Sequence, residues 1–142
     1  MTAIREQIFA GIETALRTDT GAAEIERMPP GDPDQFDALH IIDDGQDPEE
    51  QTEAATSRFD MSFSIDGFVE GAGTVMHSRL NALHAKTVHA VMAFGDNSPL
   101  VEEIREGALR IARLDLGSKR RLAFSKDFFI TIPTRRGEPD PA

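Results

Sequence analysis

The sequence predicts an α+β domain: a small, mainly antiparallel sheet of about four strands with two main helices packed on one face. Three observations lead there. Ile4, Ile8, Ile12 and Leu16 recur every four residues near the start of the chain, the narrow apolar stripe of an amphipathic helix. Phe59, Met61, Phe63 and Ile65 alternate strictly with Asp60, Ser62, Ser64 and Asp66, a strand with one apolar face. From Thr74 the spacing returns to threes and fours through Met76, Leu80, Leu83, Thr87, Val91 and Phe94, a long second helix to cover that strand.

The first helix is expected over about residues 3–18, capped by Thr2 and stopped before Gly21. Residues 28–37 hold three prolines and a glycine and read as a loop. Ala38 to Ile42 is a short strand, with His40 expected to face solvent. Residues 43–57 carry six acidic side chains and no basic one, with Gly45 and Pro48 among them, which reads as a solvated, mobile loop. The alternating strand is expected to end at Gly67 and Gly71, where a bulge or bend would fit. The second helix should run over about 73–93 and end in Gly95-Asp96-Asn97-Ser98-Pro99. Leu100 to Glu106 is read as one or two helical turns opened by Pro99. Ala108 to Leu116 and Arg121 to Pro133 are strands joined by a turn at Gly117-Ser118-Lys119. Lys126 falls among Leu122, Phe124, Phe128, Ile130 and Ile132 on the apolar face of the last strand, a discordance that suits a bulge, a sheet edge or a partner. Residues 1–133 thus form one domain, and 134–142 a polar tail expected to order against a neighbour.

Composition narrows the function classes. Fifteen Lys and Arg against twenty-five Asp and Glu leave a net charge of −10 in 142 residues, which opposes a dedicated nucleic-acid binder and an anionic membrane surface. The charge is uneven: residues 1–75 carry −13 and residues 76–142 carry +3. Such a dipolar layout suits head-to-tail contact between copies. The chain has no Cys, so disulfides, thiolate nucleophiles and Cys-ligated zinc are excluded. No apolar run approaches the roughly 20 residues of a membrane-spanning helix. No export signal is visible at Met1-Thr2-Ala3-Ile4-Arg5-Glu6, so assembly in the cytoplasm is expected.

Catalytic and ligand-binding motifs are wanting. His77 and His84 lie seven residues apart, about 10 Å along a helix, too far to share one ion unaided. His84 and His89 differ by five, which is not zinc-helix spacing. Asp43-Asp44 ends the expected strand without a calcium loop around it. Gly67-Phe68-Val69-Glu70-Gly71-Ala72-Gly73 lacks the Lys-Ser/Thr of a phosphate loop, and no G-x-S-x-G occurs. We therefore expect no enzyme, cofactor or metal. What remains are charged clusters suited to protein contact: the acids Asp43, Asp44, Asp47, Glu49, Glu50 and Glu53, and the bases Lys119, Arg120, Arg121, Lys126, Arg135 and Arg136. The hairpin bases Lys119, Arg120 and Arg121 would meet the acidic loop 43–53 of a neighbouring subunit. At exposed sites each ion pair would contribute only about 0–1 kcal/mol, setting register more than affinity.

The opening Ile4-Arg5-Glu6-Gln7-Ile8, the strand from Arg58 to Ile65, the long helix after it and the final strand from Leu122 to Ile132 together resemble tail terminator (tail completion) proteins of long-tailed phages and phage-like gene transfer particles. The resemblance spans nearly the whole chain and lies in element order, length and strand character. It implies an α+β subunit of a hexameric ring that ends tail-tube polymerisation and joins tail to head at the head-proximal end of the virion tail. Its partners would be the tube protein and a head-side connector, with DNA passing through the ring unheld. It supplies no catalytic residues. Another head–tail connector, such as a stopper or tube subunit, and an unrelated small acidic protein-binding module are the alternatives.

Overall fold

The computed structural model describes residues 2–49, 55–71, 73–116 and 119–140. Its elements are α1 (Ile4–Asp19), β1 (Glu24–Arg27), β2 (Ala38–Pro48), β3 (Thr56–Gly71), α2 (Gly73–Asn97), β4 (Glu103–Leu116) and β5 (Lys119–Arg135). The strands form one mixed sheet in the order β1-β2-β3-β5-β4, antiparallel except for the parallel pair β1·β2. The α+β class holds, with a fifth strand added.

Both helices pack on one sheet face. The α1 stripe is buried, and Phe9 joins it. From β3 come Met61, Phe63 and Ile65, and from β5 Phe124, Phe128, Ile130 and Ile132. Phe63 stacks on Phe128 with centroids 5.4 Å apart and receives the edge of Phe9 at 5.9 Å. One aromatic triple therefore ties α1 to the two central strands. The opposite face carries no helix and is polar along its middle, with Ser62, Ser64 and Asp66 beside Ser125 and Asp127.

Several expectations need correction. Thr2 does not cap α1: the N-cap is Ala3 and no side chain bonds there. At the other end Thr20 donates to the Leu16 carbonyl at 2.7 Å, and Gly21 turns the chain with φ of 70°. The loop read at 43–57 is mostly strand where it is described, for β2 continues to Pro48 and β3 starts at Thr56. Pairing with β3 satisfies the β2 backbone despite its acidic side chains, and the shift between Asp43 and Gln46 accommodates Gly45. Glu50 and Glu53 lie outside the described residues. Gly67 does not end β3. It lies within an unbroken ladder with β5, close under the Phe124 ring. The long helix extends to Asn97, with Gly95 buried against Ile104. Residues 100–106 are not helical, since the Glu102 amide bonds the Thr131 carbonyl at 2.9 Å and β4 begins at Glu103. The tail read from Thr134 starts inside β5. It then returns to the domain, with the Arg136 amide on the Ala55 carbonyl and the Pro139 carbonyl accepting from the Ile4 amide, each at 3.0 Å.

Candidate assembly surface

The sheet has two outer edges, and their chemistry differs; on β1 the Ile25 carbonyl accepts a hydrogen bond from Arg17 Nη2 at 2.9 Å. On one side lies β4, joined to β5 by the expected hairpin, whose turn residues 117–118 and Lys119 side chain lie outside the described residues. Residues 108–114 of β4 are exposed without a break, on both faces of the strand. Leu109, Ile111 and Leu114 are 41, 49 and 40% exposed. Three of the five exposed large hydrophobic residues among those described thus sit on this strand, a poor arrangement for an edge left to solvent.

Basic groups surround them. Arg110 holds Asp127 with two bonds of 2.8 Å, which keeps the aspartate below the ordinary carboxylate range and raises the guanidinium. Arg121 binds Glu70 at 3.0 Å and covers the Phe36 ring at 4.8 Å, so it is held inside the fold rather than at a free hairpin tip. Arg120 is exposed. Lys126 is buried: its ammonium donates to the Gly107 carbonyl at 2.9 Å and pairs with Glu106 at 3.1 Å. This happens where the β4 register shifts between Glu106 and Leu109, so the discordant lysine marks a bulge. Arg135 and Arg136 are exposed at the other end of β5.

The second edge consists of β1 and, beyond its end, the later half of β2. Asp43 pairs with Arg5 and accepts the Gly45 amide at 2.9 Å. Burial with help from Asp127, Asp43 and Asp66 pushes the Asp44 carboxyl up, although the residue is largely exposed. Asp47 is exposed, and the Glu49 amide is bonded to the Arg58 carbonyl at 2.9 Å. Exposed Glu26, Asp32 and Asp34 extend this acidic flank towards the hairpin end. Exposed Met28 sits beside an open groove of about 320 Å³ lined by Glu6, Phe9, Arg27, Met28, Ile41 and Asp43.

The expected pairing partners are therefore far apart within one chain. Arg120 lies level with Gly71, whereas Asp43 and Pro48 lie level with Phe63 and Phe59. Some 8–12 residues along a strand correspond to roughly 25–40 Å.

His40 was expected to face solvent and is buried instead. Its Nε2 lies 2.7 Å from Glu24 Oε2 on β1, a strand the sequence did not announce. Burial alone would raise the Glu24 carboxyl; hydrogen bonds from His40 and from the Asp34 and Gln35 amides bring it below its ordinary value. His84 packs edge-on against Phe124 with centroids 5.4 Å apart, and its Nε2 is buried with no hydrogen bond. Burial, then the Lys126 charge, lower its pKa, with Glu106 opposing. The folded state thus binds this proton less readily than the unfolded chain, so stability should fall as pH drops through the unfolded value of about 6.5 towards the folded one. Urea unfolding at pH 7.5 and 5.5 should show that loss in the wild type and a smaller one in His84→Gln. Equal slopes would clear His84. His77 and His89 are exposed. Among the described residues no group of three or more His, Asp or Glu converges as a metal site, and no helix is long and apolar enough to cross a membrane.

No known family matches the sequence, and no curated protein matches it either. Among solved structures the chain is similar to one described as "Virion of native gene transfer agent (GTA) particle". The two are 16% identical, with 91% of this chain and 92% of that one covered and a TM-score of 0.49.

Proposed function

We propose that the chain is a structural component of a phage-like virion and, within it, the tail terminator: a ring-forming subunit that ends tail-tube growth and joins the tail to the head. The observation that carries the reading is the pair of unlike sheet edges, one apolar and basic, the other acidic, on a domain whose element order resembles that family. Unlike edges make a heterologous contact, and a heterologous contact whose rotation divides a full turn closes a ring. In this reading the chain is non-catalytic, its partners are further copies, the tube protein and a head-side connector, and DNA passes through without being held.

Particles from producer cells lacking the chain test this. Electron microscopy should show filled heads separated from tubes of uncontrolled length. Intact particles with tails of normal length would refute the terminator role.

A further inference from the structure

We infer that the β4 edge of one copy docks, antiparallel and level, on the β1/β2 edge of a second copy, continuing the sheet from subunit to subunit. This rests on the ring reading for its closure, but the contact itself is argued from the two edges.

Polarity comes first. β2 and β5 run one way, and β3 and β4 the other, while β1 follows β2. Two copies set edge to edge in the same sense therefore place β4 antiparallel to β1. Antiparallel pairing is slightly more stable per residue than parallel pairing, and strand addition at a sheet edge is an established mode of contact between chains.

The register then assigns opposite residues. Arg110 pairs Ser125, Ser125 pairs Asp66, Asp66 pairs His40, and His40 pairs Glu26. Arg110 and Glu26 thus stand at one level, at the two ends of a single cross-strand row, on the helix-free face. The next row on the helix side runs from Leu109 through Lys126, Ile65 and Ile41 to Arg27. Leu109 of one copy accordingly meets the groove lined by Phe9, Arg27, Met28 and Ile41 of the next. A level contact sets Arg110, which also holds Asp127, opposite Glu26, and the exposed Leu109 opposite a groove in which Phe9, Met28 and Ile41 lie among the charged Glu6, Arg27 and Asp43.

Charge selects this occupant over a symmetric one. The β4 side, residues 107–125, carries five basic groups and one acid, whereas residues 24–49 carry nine acids and one base. Two β4 edges facing each other would oppose like charges. The match belongs to the hairpin half of the edge: farther down, Glu103 falls level with Asp47.

The absence of native cysteine makes the test clean. Glu26 and Arg110 lie at opposite edges of five strands, about 19 Å apart at the usual strand spacing, so a disulfide between them must join two chains. Carrying Glu26→Cys and Arg110→Cys together, the oxidised protein should run as a ladder of covalent oligomers on non-reducing gels. Either single variant should stay monomeric there. Covalent dimers from Arg110→Cys alone would show β4 meeting β4 and overturn the inference, as would an oligomeric wild type whose double variant gives no ladder. That second result leaves the ring standing, while a ladder with normal particles from cells lacking the chain would leave the contact standing and refute the terminator role. Arg110→Glu should weaken association about tenfold or more, and adding Glu26→Arg in the same chain should restore it. No rescue, with both proteins folded by circular dichroism, counts against the pairing.

Discussion

Phe63→Ala should destabilise the domain by about 3–5 kcal/mol, measured as a shift in the urea midpoint. Phe63 is 1% exposed and touches an aromatic partner on each side, Phe128 by stacking and Phe9 edge-on. Truncation removes the transfer free energy of the ring and leaves a cavity between α1 and the central strands, which the flanking rings fill only by leaving their own contacts. Such a loss is a large share of the roughly 5–15 kcal/mol that holds an ordinary domain. Phe129→Ala is the control. Its ring is half-buried on the helix-free face beneath Arg105, and it should cost far less. Equal losses at the two positions would show that the core is not centred on Phe63.

The second large effect is expected at Gly67. A Cβ there would lie 2.0 Å from Phe124 Cε2 and 2.4 Å from Cζ, distances no side chain tolerates. The Phe124 ring is 1% exposed and braced by His84, so it has little room to yield. Gly67→Val should therefore destabilise by about 3 kcal/mol, the upper part of the usual range for overpacking. Phe124→Leu should relieve much of that cost when combined with it, a coupling that a double-mutant cycle reads directly. Simple additivity would mean that the ring swings away freely.

Legibility in the sequence followed the length and strength of each pattern. The α1 stripe and the Phe59–Asp66 alternation are carried by side-chain spacing alone, and all the residues they place on the core face are buried or packed against the core. Lys126 stood out as one charge in a run of apolar residues, which left a bulge, a sheet edge or a partner open, and the structure shows a bulge on the facing β4. β1 was invisible: four residues, Glu-Ile-Glu-Arg, supply one inward side chain and no period. His40 was misplaced as a consequence, since its buried partner Glu24 belongs to that strand. The later half of β2 was misread because composition describes side chains, whereas backbone pairing with β3 and the Arg5–Asp43 pair hold that segment. Pro99 misled in a similar way. It fits a helix start, yet the chain turns there and enters β4, where Ile104 can reach Gly95 and the core.

The candidate surface was legible as charge and only partly as geometry. The sequence separates acids from bases, but it set the hairpin bases against residues 43–53, which the ladder places far along the strand. The acid level with Arg110 is Glu26, which becomes a neighbour of β4 only when two copies are set side by side.

Native mass spectrometry of the purified wild-type chain, beside Arg110→Glu, reads directly whether the two edges meet. Edge-to-edge closure predicts one discrete closed ring for the wild type, a hexamer on the tail-terminator reading, and mostly monomer for the variant. A wild type that stays monomeric at every concentration, stops at a dimer, or gives an open series of masses that Arg110→Glu leaves unchanged would contradict it.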